Sequence, residues 1–498
     1  MTKKFLFIPI IAAVAIGGCK KDFLKALPSE FTTPEQLGEA ALQDPSLLNG
    51  NVAGLYTTMF TPAVGGTTGH DDFGQKGIDI YTDMLQSDMV LAGTNYGWYS
   101  NIANYSAPIN FTTNPCYVPF RYFYRQVYGA NTIIDILGGT NATPTGGNAR
   151  TMGQAKAMRA YAYFYLSQLY AKSYGDGSEK ILPLYNTADP TFLNQPKRTA
   201  AEIWSFMIQD LNEAITLLNG FTRTTKDQID QNVAKGLLCY VLAARGTNED
   251  WTKVQTLTSE IMAAYPKTTK AYYVYDGTNI ATAGFNKVTA PSWMWGVDLT
   301  LDQGLNLISW WGQVDQFTYS YAWAGDPKRI DRGLYDAIRS DDARKAQFAA
   351  PGAQYQLQPV NKFFAPARTA GGARYVETDN IYMRADEFYL LNAEANAYLN
   401  KDAEAKTTLK SYLADRITNL SYIDALAGQA LKDEIYLQTR IELWGEGKVY
   451  LALKRDKRTL TRGSNHLFLA GQSIPYNDPR LTFEIPQQEV LNNPNLNN

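Results

Sequence analysis

Apolar residues recur at helical spacing between Arg198 and Gly220, in the segment RTAAEIWSFMIQDLNEAITLLNG. The apolar positions on one face of the predicted helix are Ile203, Met207, Leu211, Ala214 and Leu218. Thr199 and Glu202 have the spacing of a capping box, in which two side chains bond free backbone N–H groups of the first turn. Gly220 is a typical residue at which a helix stops. This segment is therefore predicted to form an amphipathic helix.

Further segments of the chain are also predicted to be helical. They are residues 120–137, 154–170, 233–245, 252–265, 384–399, 402–413 and 431–444. Short polar turns separate several of them, and some starts are spaced near the roughly 34-residue period of tetratricopeptide repeats. The chain is therefore predicted to be mainly α, with a tetratricopeptide-like core of helical hairpins.

Two long segments, residues 61–118 and 266–380, lack this periodicity and are rich in Gly, Thr, Asn, Pro and aromatic residues. They are predicted to be long ordered loops with a few short strands. The alternating stretch SWMWGVD in the second segment predicts a strand that places Trp293 and Trp295 in the core. Long loops in a compact protein are usually functional, which makes both segments candidates for ligand contact.

The N-terminus has the pattern of a bacterial lipoprotein signal. A basic stretch at residues 1–4 precedes an apolar stretch at residues 5–16, and small residues stand directly before Cys19. The apolar stretch is shorter than the roughly 20 residues that a membrane-spanning helix needs. Residues 1–18 are therefore predicted to be a signal peptide, and Cys19 is predicted to carry the lipid. The alternative is ordinary secretion with Cys19 as an incidental thiol.

Composition indicates a folded globular protein and excludes several function classes. Hydrophobic residues make up 45% and charged residues 19% of the chain, which is ordinary for a chain with a core. The net charge of -2 and the lack of a basic stripe argue against a nucleic-acid partner. Cys116 and Cys239 are expected to be buried free thiols. His70 and His466 lack neighbouring metal ligands, and no nucleotide-binding or nucleophile-elbow motif occurs, so no cofactor is predicted.

Glu442 and Glu446 are the carboxylates that most invite an enzymatic interpretation, because a spacing of four places them on one helix face. Glycosidase carboxylates instead flank a bond from opposite sides and usually come from different elements. Arg440 and Lys448 lie nearby, so we expect the pair to be solvated, charge-balanced and structural, with no catalytic role. A second acidic group consists of Asp71, Asp72 and Asp79. It lacks the spacing of an EF-hand, and no metal site is predicted.

Aromatic residues in the first long loop are the first candidates for ligand contact. Tyr96 and Trp98 lie in the Gly-broken stretch GTNYGWYSNIANY, with Asn101 close by in sequence. Sugar recognition uses this mixture, because an aromatic face packs on ring C–H groups while amides bond the hydroxyls. Tyr96, Trp98 and Asn101 are therefore predicted to contact a ligand. The same residue types also suit an ordinary loop.

The second long loop holds five of the nine tryptophans between positions 293 and 323. With Trp293 and Trp295 assigned to the core, the remaining candidates for ligand contact are Trp310, Trp311, Tyr319, Tyr321 and Trp323. An aromatic area of this kind also suits a protein interface, since interfaces are enriched in Trp and Tyr.

Four blocks of the chain resemble the SusD/RagB family of Bacteroidetes, in the family's order. They are CKKDFLKALPSE at residues 19–30, AKAMRAYAYFYLSQLYAKSYGD at 155–176, YMRADEFYLLNAEANAYLN at 382–400, and RIELWGEGKVYLALKRDKR at 440–458 with FEIPQQEVLNNPNLNN from 483. The charged residues after Cys19 are similar to the family's surface-export signal. Lys448, Tyr450 and Leu451 stand where the family more often has Arg, an aromatic residue and Asp, so the sequence departs from the family at Lys448 and Leu451.

The resemblance implies a core of four tetratricopeptide-like helix pairs with a loop-rich face. It implies a lipoprotein of the outer membrane, facing the exterior, that captures oligosaccharide for a SusC-like TonB-dependent barrel. Some members of the family capture peptide instead, and an enzyme or a purely architectural protein remains an alternative from another class. The expected regions are residues 19–250 and 251–498, packed as one globular unit.

Overall fold

The computed structural model describes residues 33–172 and 177–497. The signal peptide expected at residues 1–18, the lipid site expected at Cys19 and the block at residues 19–30 lie outside the described residues. Within the described residues, no helix is both long enough and apolar enough to cross a membrane.

Helices dominate the structure, as the sequence predicts. The α-helices are α1 (Pro34–Gln43), α2 (Asn49–Thr57), α3 (Gln75–Leu85), α4 (Ser100–Ala103), α5 (Asn114–Ile136), α6 (Gly146–Tyr170), α7 (Ala200–Leu217), α8 (Gln231–Arg245), α9 (Asn248–Ala264), α10 (Lys270–Tyr273), α11 (Trp310–Val314), α12 (Arg332–Ala337), α13 (Ala385–Tyr398), α14 (Asp402–Leu413), α15 (Gly428–Glu442), α16 (Val449–Arg455) and α17 (Gln487–Asn492).

Local sequence signals set the ends of the predicted helices. The capping box of Thr199 and Glu202 opens α7, and every residue of its predicted apolar face is buried. Gly246 ends α8 in the left-handed conformation with φ of 70°, which glycine adopts without strain. Helix α9 begins four residues before its predicted start, because Thr247 and Asp250 form a second capping box there.

Successive long helices pack side by side. Helix α5 packs on α6, α6 on α7, α7 on α8 and α8 on α9. Across the second long loop, α9 packs on α13, which in turn contacts α14 and α15. This sequential stacking confirms the predicted tetratricopeptide-like helical core with long loops and short strands.

The prediction that residues 61–118 lack a long helix is wrong, because α3 lies within them. All eleven residues of α3 are buried, including Lys76, Asp79 and Asp83. Lys76 pairs with Asp79 at 2.8 Å, so a positive and a negative charge of the same helix compensate each other in the core. The segment has a clear amphipathic period, but the helix is short and its polar face is enclosed by the rest of the chain instead of facing solvent.

The strands are short and pair two by two in antiparallel fashion. They are β1 (Met89–Leu91) with β5 (Lys328–Ile330), β2 (Lys180–Pro183) with β3 (Lys197–Thr199), β4 (Trp293–Val297) with β6 (Asn380–Arg384), and β7 (Thr459–Thr461) with β8 (Ser473–Pro475). Strand β4 confirms the prediction for SWMWGVD, with Trp293 and Trp295 both 1% exposed. Cys116 and Cys239 are buried free thiols, as expected, although Cys116 lies in α5 rather than in a loop.

Candidate ligand-binding surface

The β1–β5 pair brings the two aromatic loops together. Leu91, the last residue of β1, lies opposite Lys328, the first residue of β5. The backbone N–H of Ala92 extends the pairing by donating to the carbonyl of Pro327 at 3.0 Å. Because the strands are antiparallel, the loop that follows β1 and the loop that precedes β5 meet at the same end of the strand pair.

A buried carboxylate fastens these loops to each other. Asp326 accepts the backbone N–H of Asn95 at 2.6 Å and that of Tyr96 at 2.9 Å. Two glycines let the loops approach closely, since a Cβ at Gly93 would lie 2.1 Å from the carbonyl oxygen of Gly325. Tyr96 is therefore held over the second loop by its own backbone.

The first aromatic cluster, defined as His70, Tyr96, Trp98 and Tyr321, unites three separate segments. The rings of His70 and Trp98 stack with centroids 5.0 Å apart and an interplanar angle of 3°. Tyr321 packs edge-on against Tyr96 at 5.0 Å and against Trp98 at 6.4 Å. The His70 Nδ1 and the Tyr321 hydroxyl are 2.6 Å apart, which is a hydrogen-bonding distance. Each ring is thus positioned by at least one other.

Buried polar groups support the cluster from below. Gln313 donates to the backbone carbonyl of His70 at 2.8 Å and accepts from the Lys328 ammonium at 2.9 Å. Lys328 is fully buried, and burial lowers its pKa to about 7, with the carboxylate of Asp326 opposing that change. The His70 backbone is therefore anchored through Gln313 to the strand that carries the second loop.

The second aromatic pair consists of Tyr319 and Trp323, whose ring centroids lie 5.6 Å apart. The Arg374 guanidinium lies 5.1 Å from the centroid of the Tyr319 ring. Gly371 covers one side of the indole, since a Cβ there would lie 2.4 Å from the Trp323 ring. Tyr321 of the first cluster lies between these two residues in the sequence, so one short segment of the second loop contributes to both aromatic groups.

Exposure separates the predicted contact residues into three groups. Tyr96 is 56% and Trp323 45% exposed, and Asn101 is also exposed, in α4. Trp98 and Tyr319 are half-buried. Tyr321 is only 5% exposed and forms the base of the first cluster.

The expectation that Trp310 and Trp311 lie on an accessible loop is wrong. They are 2% and 1% exposed and open the short helix α11. Their rings pack against each other at 5.0 Å and against Phe363 at 4.6 and 6.5 Å. Two adjacent tryptophans in one helical turn bury a large apolar area when both pack in the core. Their spacing in the sequence does not show whether they are buried or exposed.

Sequence reasoning missed His70 as part of the surface. The sequence raises this residue only as a possible metal ligand, and it lies 251 positions before Tyr321. No local pattern marks such a partner. Asp326 and Gln313 were missed for the same reason, because their role consists of contacts with the other loop.

The surface of Tyr96, Trp98, Tyr319 and Trp323 offers several aromatic faces at or near solvent. Exposed polar groups are close in sequence, with the amides of Asn95 and Asn101 on the first loop and the Arg374 guanidinium against Tyr319. Aromatic faces accept the C–H side of a sugar ring, while amides and guanidinium groups bond hydroxyls. The arrangement is suited to binding a polar ligand with apolar faces.

Glu442 and Glu446 are structural, but the expectation that they are solvated is wrong. They are 1% and 3% exposed. Arg384 donates to Glu442 at 2.9 Å and to Glu446 at 2.7 and 2.9 Å. Arg416 donates to Glu442 at 2.9 Å, and Lys362 donates to Glu446 at 2.9 Å. The balancing cations therefore come from other parts of the chain.

The two neighbours expected to balance these glutamates have other partners. Arg440 pairs with Asp88 at 2.5 Å, and the Lys448 ammonium lies 5.1 Å from the centroid of the Tyr240 ring. Burial raises the pKa of Glu442, but the guanidinium groups of Arg416, Arg384 and Arg344 outweigh burial and hold this pKa well below its usual range. A carboxylate held in this way stays ionised and inaccessible to a substrate.

The three aspartates of the second acidic group, Asp71, Asp72 and Asp79, each accept hydrogen bonds from other residues of the chain. Asp71 accepts from the Tyr81 hydroxyl at 2.6 Å, and Asp72 accepts the backbone N–H of Gly65 at 2.7 Å. Asp79 bonds to residues of its own helix instead. Across residues 33–172 and 177–497, no group of three or more His, Cys, Asp or Glu residues has the geometry to hold a metal ion.

Part of the chain matches a known protein family, and the whole fold is similar to solved structures. Residues 72–240, which include the first aromatic loop, match the SusD-like family described as "Starch-binding associating with outer membrane". The chain also superimposes with a TM-score of 0.71 on a SusD-like carbohydrate binding protein from Bacteroides vulgatus, covering 94% of this chain and 98% of that one at 23% identity. The similarity to the solved structure shows that the chain has a SusD-like fold, and the family match itself covers residues 72–240.

Other SusD-like proteins extend the comparison. A SusD superfamily protein from Bacteroides fragilis superimposes with a TM-score of 0.71 over 91% of this chain and 99% of that one, at 22% identity. The SusD-like protein P25 from Formosa agariphila is 26% identical over 150 residues, which is 30% of this chain. The alignment spans 27% of that relative's length. At these identities the solved structures establish the fold of this chain, and its ligand has to be argued from its own surface.

Proposed function

We propose that this chain is a SusD-like cell-surface lipoprotein that captures oligosaccharide and delivers it to a SusC-like TonB-dependent transporter of the outer membrane. The lipid on Cys19 would anchor it, and the aromatic surface of Tyr96, Trp98, Tyr319 and Trp323 would hold the glycan. The protein would act by binding, without catalysis.

The observation that carries the proposal is the aromatic surface itself. Tyr96 and Trp323 each leave about half of a large ring exposed, while contacts below them hold both loops in place. A preformed surface loses little conformational freedom on binding, so more of the contact energy appears as affinity. The starch-binding description of the family and the carbohydrate-binding description of the B. vulgatus relative support a glycan as the ligand.

The buried charges support a binding role over an enzymatic one. Glu442 and Glu446, the pair that invites a catalytic interpretation, are buried. They form ion pairs with Arg384, Arg416 and Lys362. Retaining or inverting hydrolysis requires two carboxyl groups that can flank a glycosidic bond. Glu442 and Glu446 cannot do so without breaking the core.

The test is titration of oligosaccharides into the chain from Lys20 onward, which contains every described residue. A glycan array selects the ligand, and calorimetry then compares the unaltered chain with Trp98→Ala and Trp323→Ala. Each substitution removes a ring from the surface, so we expect affinity to fall at least about tenfold, as for a binding hot spot. Chromatography of the glycan after incubation should show no cleavage product.

Tyr128→Ala is the matched control, because Tyr128 is 61% exposed on α5 and lies outside the aromatic surface. Its oligosaccharide affinity should stay within about twofold of the unaltered chain. Saturable peptide binding that depends on Trp98, with no glycan binding, would replace glycan by peptide as the ligand. Glycan binding unaffected by Trp98→Ala and Trp323→Ala would refute the proposed surface.

A further inference from the structure

A separate cavity of about 380 Å³ lies between α5, the segment at residues 183–193 and the C-terminal turn that begins with α17. Its volume is within the range of small-molecule pockets. The aromatic side chains that line it are Phe120, Tyr124, Tyr128, Tyr185 and Phe192. None of them belongs to the aromatic surface described above.

Hydrogen bonds between the three walls build this cavity. The Tyr124 hydroxyl donates to the carbonyl of Pro183 at 2.7 Å, and Asn131 donates to the carbonyl of Tyr185 at 3.1 Å. On the other side, the Asn493 side chain donates to the carbonyl of Gln195 at 3.0 Å. The donors that tie the walls together are thus already used, which leaves the cavity short of free donors for an anionic ligand.

The charged groups of the cavity are acidic. Glu489 and Asp189 line it, and no Lys, Arg or His residue is among the described lining residues. The Glu489 carboxylate is half-buried and has no hydrogen bond or ion pair with any residue in the described part of the chain. Partial burial raises the pKa of Glu489, and Arg121, which is not a lining residue, opposes this change. A partly desolvated carboxylate that forms no direct ion pair favours a cationic partner.

We propose that this cavity binds a small organic cation, an ammonium group on an apolar or aromatic body. Glu489 would receive the ammonium through a charge-assisted hydrogen bond, and the Tyr and Phe rings would contact the body and attract the cation through their faces. Asp189, exposed at the rim, adds a second negative charge near the entrance. This site is independent of the proposed glycan surface, and neither requires the other.

The experiment uses the chain from Lys20 onward and two probes of nearly equal shape. 2-Phenylethylamine carries an ammonium at pH 7, while 2-phenylethanol is neutral. We expect the amine to bind saturably in calorimetry and the alcohol to bind at least about tenfold more weakly, because only the amine makes a charge-assisted bond. Glu489→Gln should weaken amine binding at least about tenfold and leave the alcohol within about twofold.

Glu484→Gln is the matched control, since Glu484 is an exposed carboxylate in the same C-terminal segment and does not line the cavity. It should retain amine affinity. Tyr128→Ala removes an exposed wall of the cavity and should weaken amine binding while glycan binding persists. Equal binding of amine and alcohol, absence of amine binding to the folded protein, or amine binding unchanged in Glu489→Gln would each overturn the proposal. Binding of neutral sugar here that Glu489→Gln does not affect would overturn it as well.

Discussion

At the scale of single residues, the Glu442 carboxylate shows how a buried charge is compensated in this core. Three guanidinium groups reach it, from Arg344 at 3.1 Å, Arg384 at 2.9 Å and Arg416 at 2.9 Å. Those arginines are balanced in turn by other acids, including Asp386, which pairs with Arg416 at 2.7 Å. Buried charges are tolerated only when paired and hydrogen-bonded, so every member of the network depends on the others.

We predict that Glu442→Gln destabilises the protein by about 3 to 5 kcal/mol, because it leaves buried guanidinium charge uncompensated. Urea unfolding at pH 7 measures this change. Glu404→Gln, on the exposed face of α14, is the matched control and should change the unfolding free energy by less than about 0.5 kcal/mol. A loss below about 1 kcal/mol for Glu442→Gln would contradict the importance of the network.

The same substitution should change the dependence of stability on pH. The folded-state pKa of Glu442 lies well below its ordinary value of 4.5, so the unfolded state takes up a proton first as the pH falls. The stabilisation by Glu442 is therefore complete above the unfolded pKa and decreases as the pH falls from there through the folded pKa. In Glu442→Gln, the unfolding free energy should decline less steeply below about pH 4.5 than in the unaltered chain.

At the scale of elements, two three-residue strands decide where the aromatic surface forms. Strands β1 and β5 are too short to be stable alone, and they pair within a largely buried environment. Asp326 then ties the loop after β1 to the loop before β5. The surface thus depends on a contact between elements distant in sequence.

We predict that Asp326→Asn loosens the first loop with little effect on the rest of the fold. A neutral amide accepts weaker hydrogen bonds than a carboxylate, by about 1 kcal/mol, which corresponds to about fivefold in an equilibrium constant. Hydrogen exchange at the amides of Asn95 and Tyr96 should become at least about five times faster, and oligosaccharide affinity should fall. Asp302→Asn, at an exposed position of the second loop, should leave both measurements unchanged. Unchanged exchange in Asp326→Asn would contradict the role of Asp326.

At the scale of the whole molecule, one buried hydrophobic cluster contains described residues from both expected regions, 19–250 and 251–498. The boundary between them falls within α9. The Lys454 ammonium donates to the carbonyls of Gln168 and Ala171 at 2.7 Å each, and the backbone N–H of Phe483 donates to the carbonyl of Leu169 at 2.8 Å. Residues near the C-terminus therefore provide hydrogen-bond donors for the carbonyl groups at the end of α6. We propose that both regions fold as one unit.

This proposal predicts a single cooperative transition for the chain from Lys20 onward, with coincident urea curves by circular dichroism and tryptophan fluorescence. A fragment that ends at Gly246 should lack a cooperative transition, because α6 and α8 lose their partners in α13 and α16. Two separated transitions in the longer chain, or cooperative unfolding of the fragment, would show that the regions fold independently.

The sequence by itself determined the class of the fold and many of its helices. Capping residues and the apolar period report which face of a helix is buried, so α7, α8 and α14 could be assigned from local pattern alone. The alternation in SWMWGVD placed Trp293 and Trp295 in the core for the same reason. The exposure of Tyr96 and Trp323 also agrees with their place in polar, irregular loops.

Only the tertiary structure decided which residues meet and which are enclosed. His70, Trp98 and Tyr321 form one cluster from three distant segments, while Trp310 and Trp311 are buried within the same aromatic loop. From the sequence, the charges of α3 and of Glu442 are expected to face solvent, yet both are buried. In α3, Lys76 pairs with Asp79 of the same helix, whereas arginines from remote segments make the burial of Glu442 tolerable. Local pattern carries information about faces and ends of elements, whereas contacts between elements depend on how the whole chain packs.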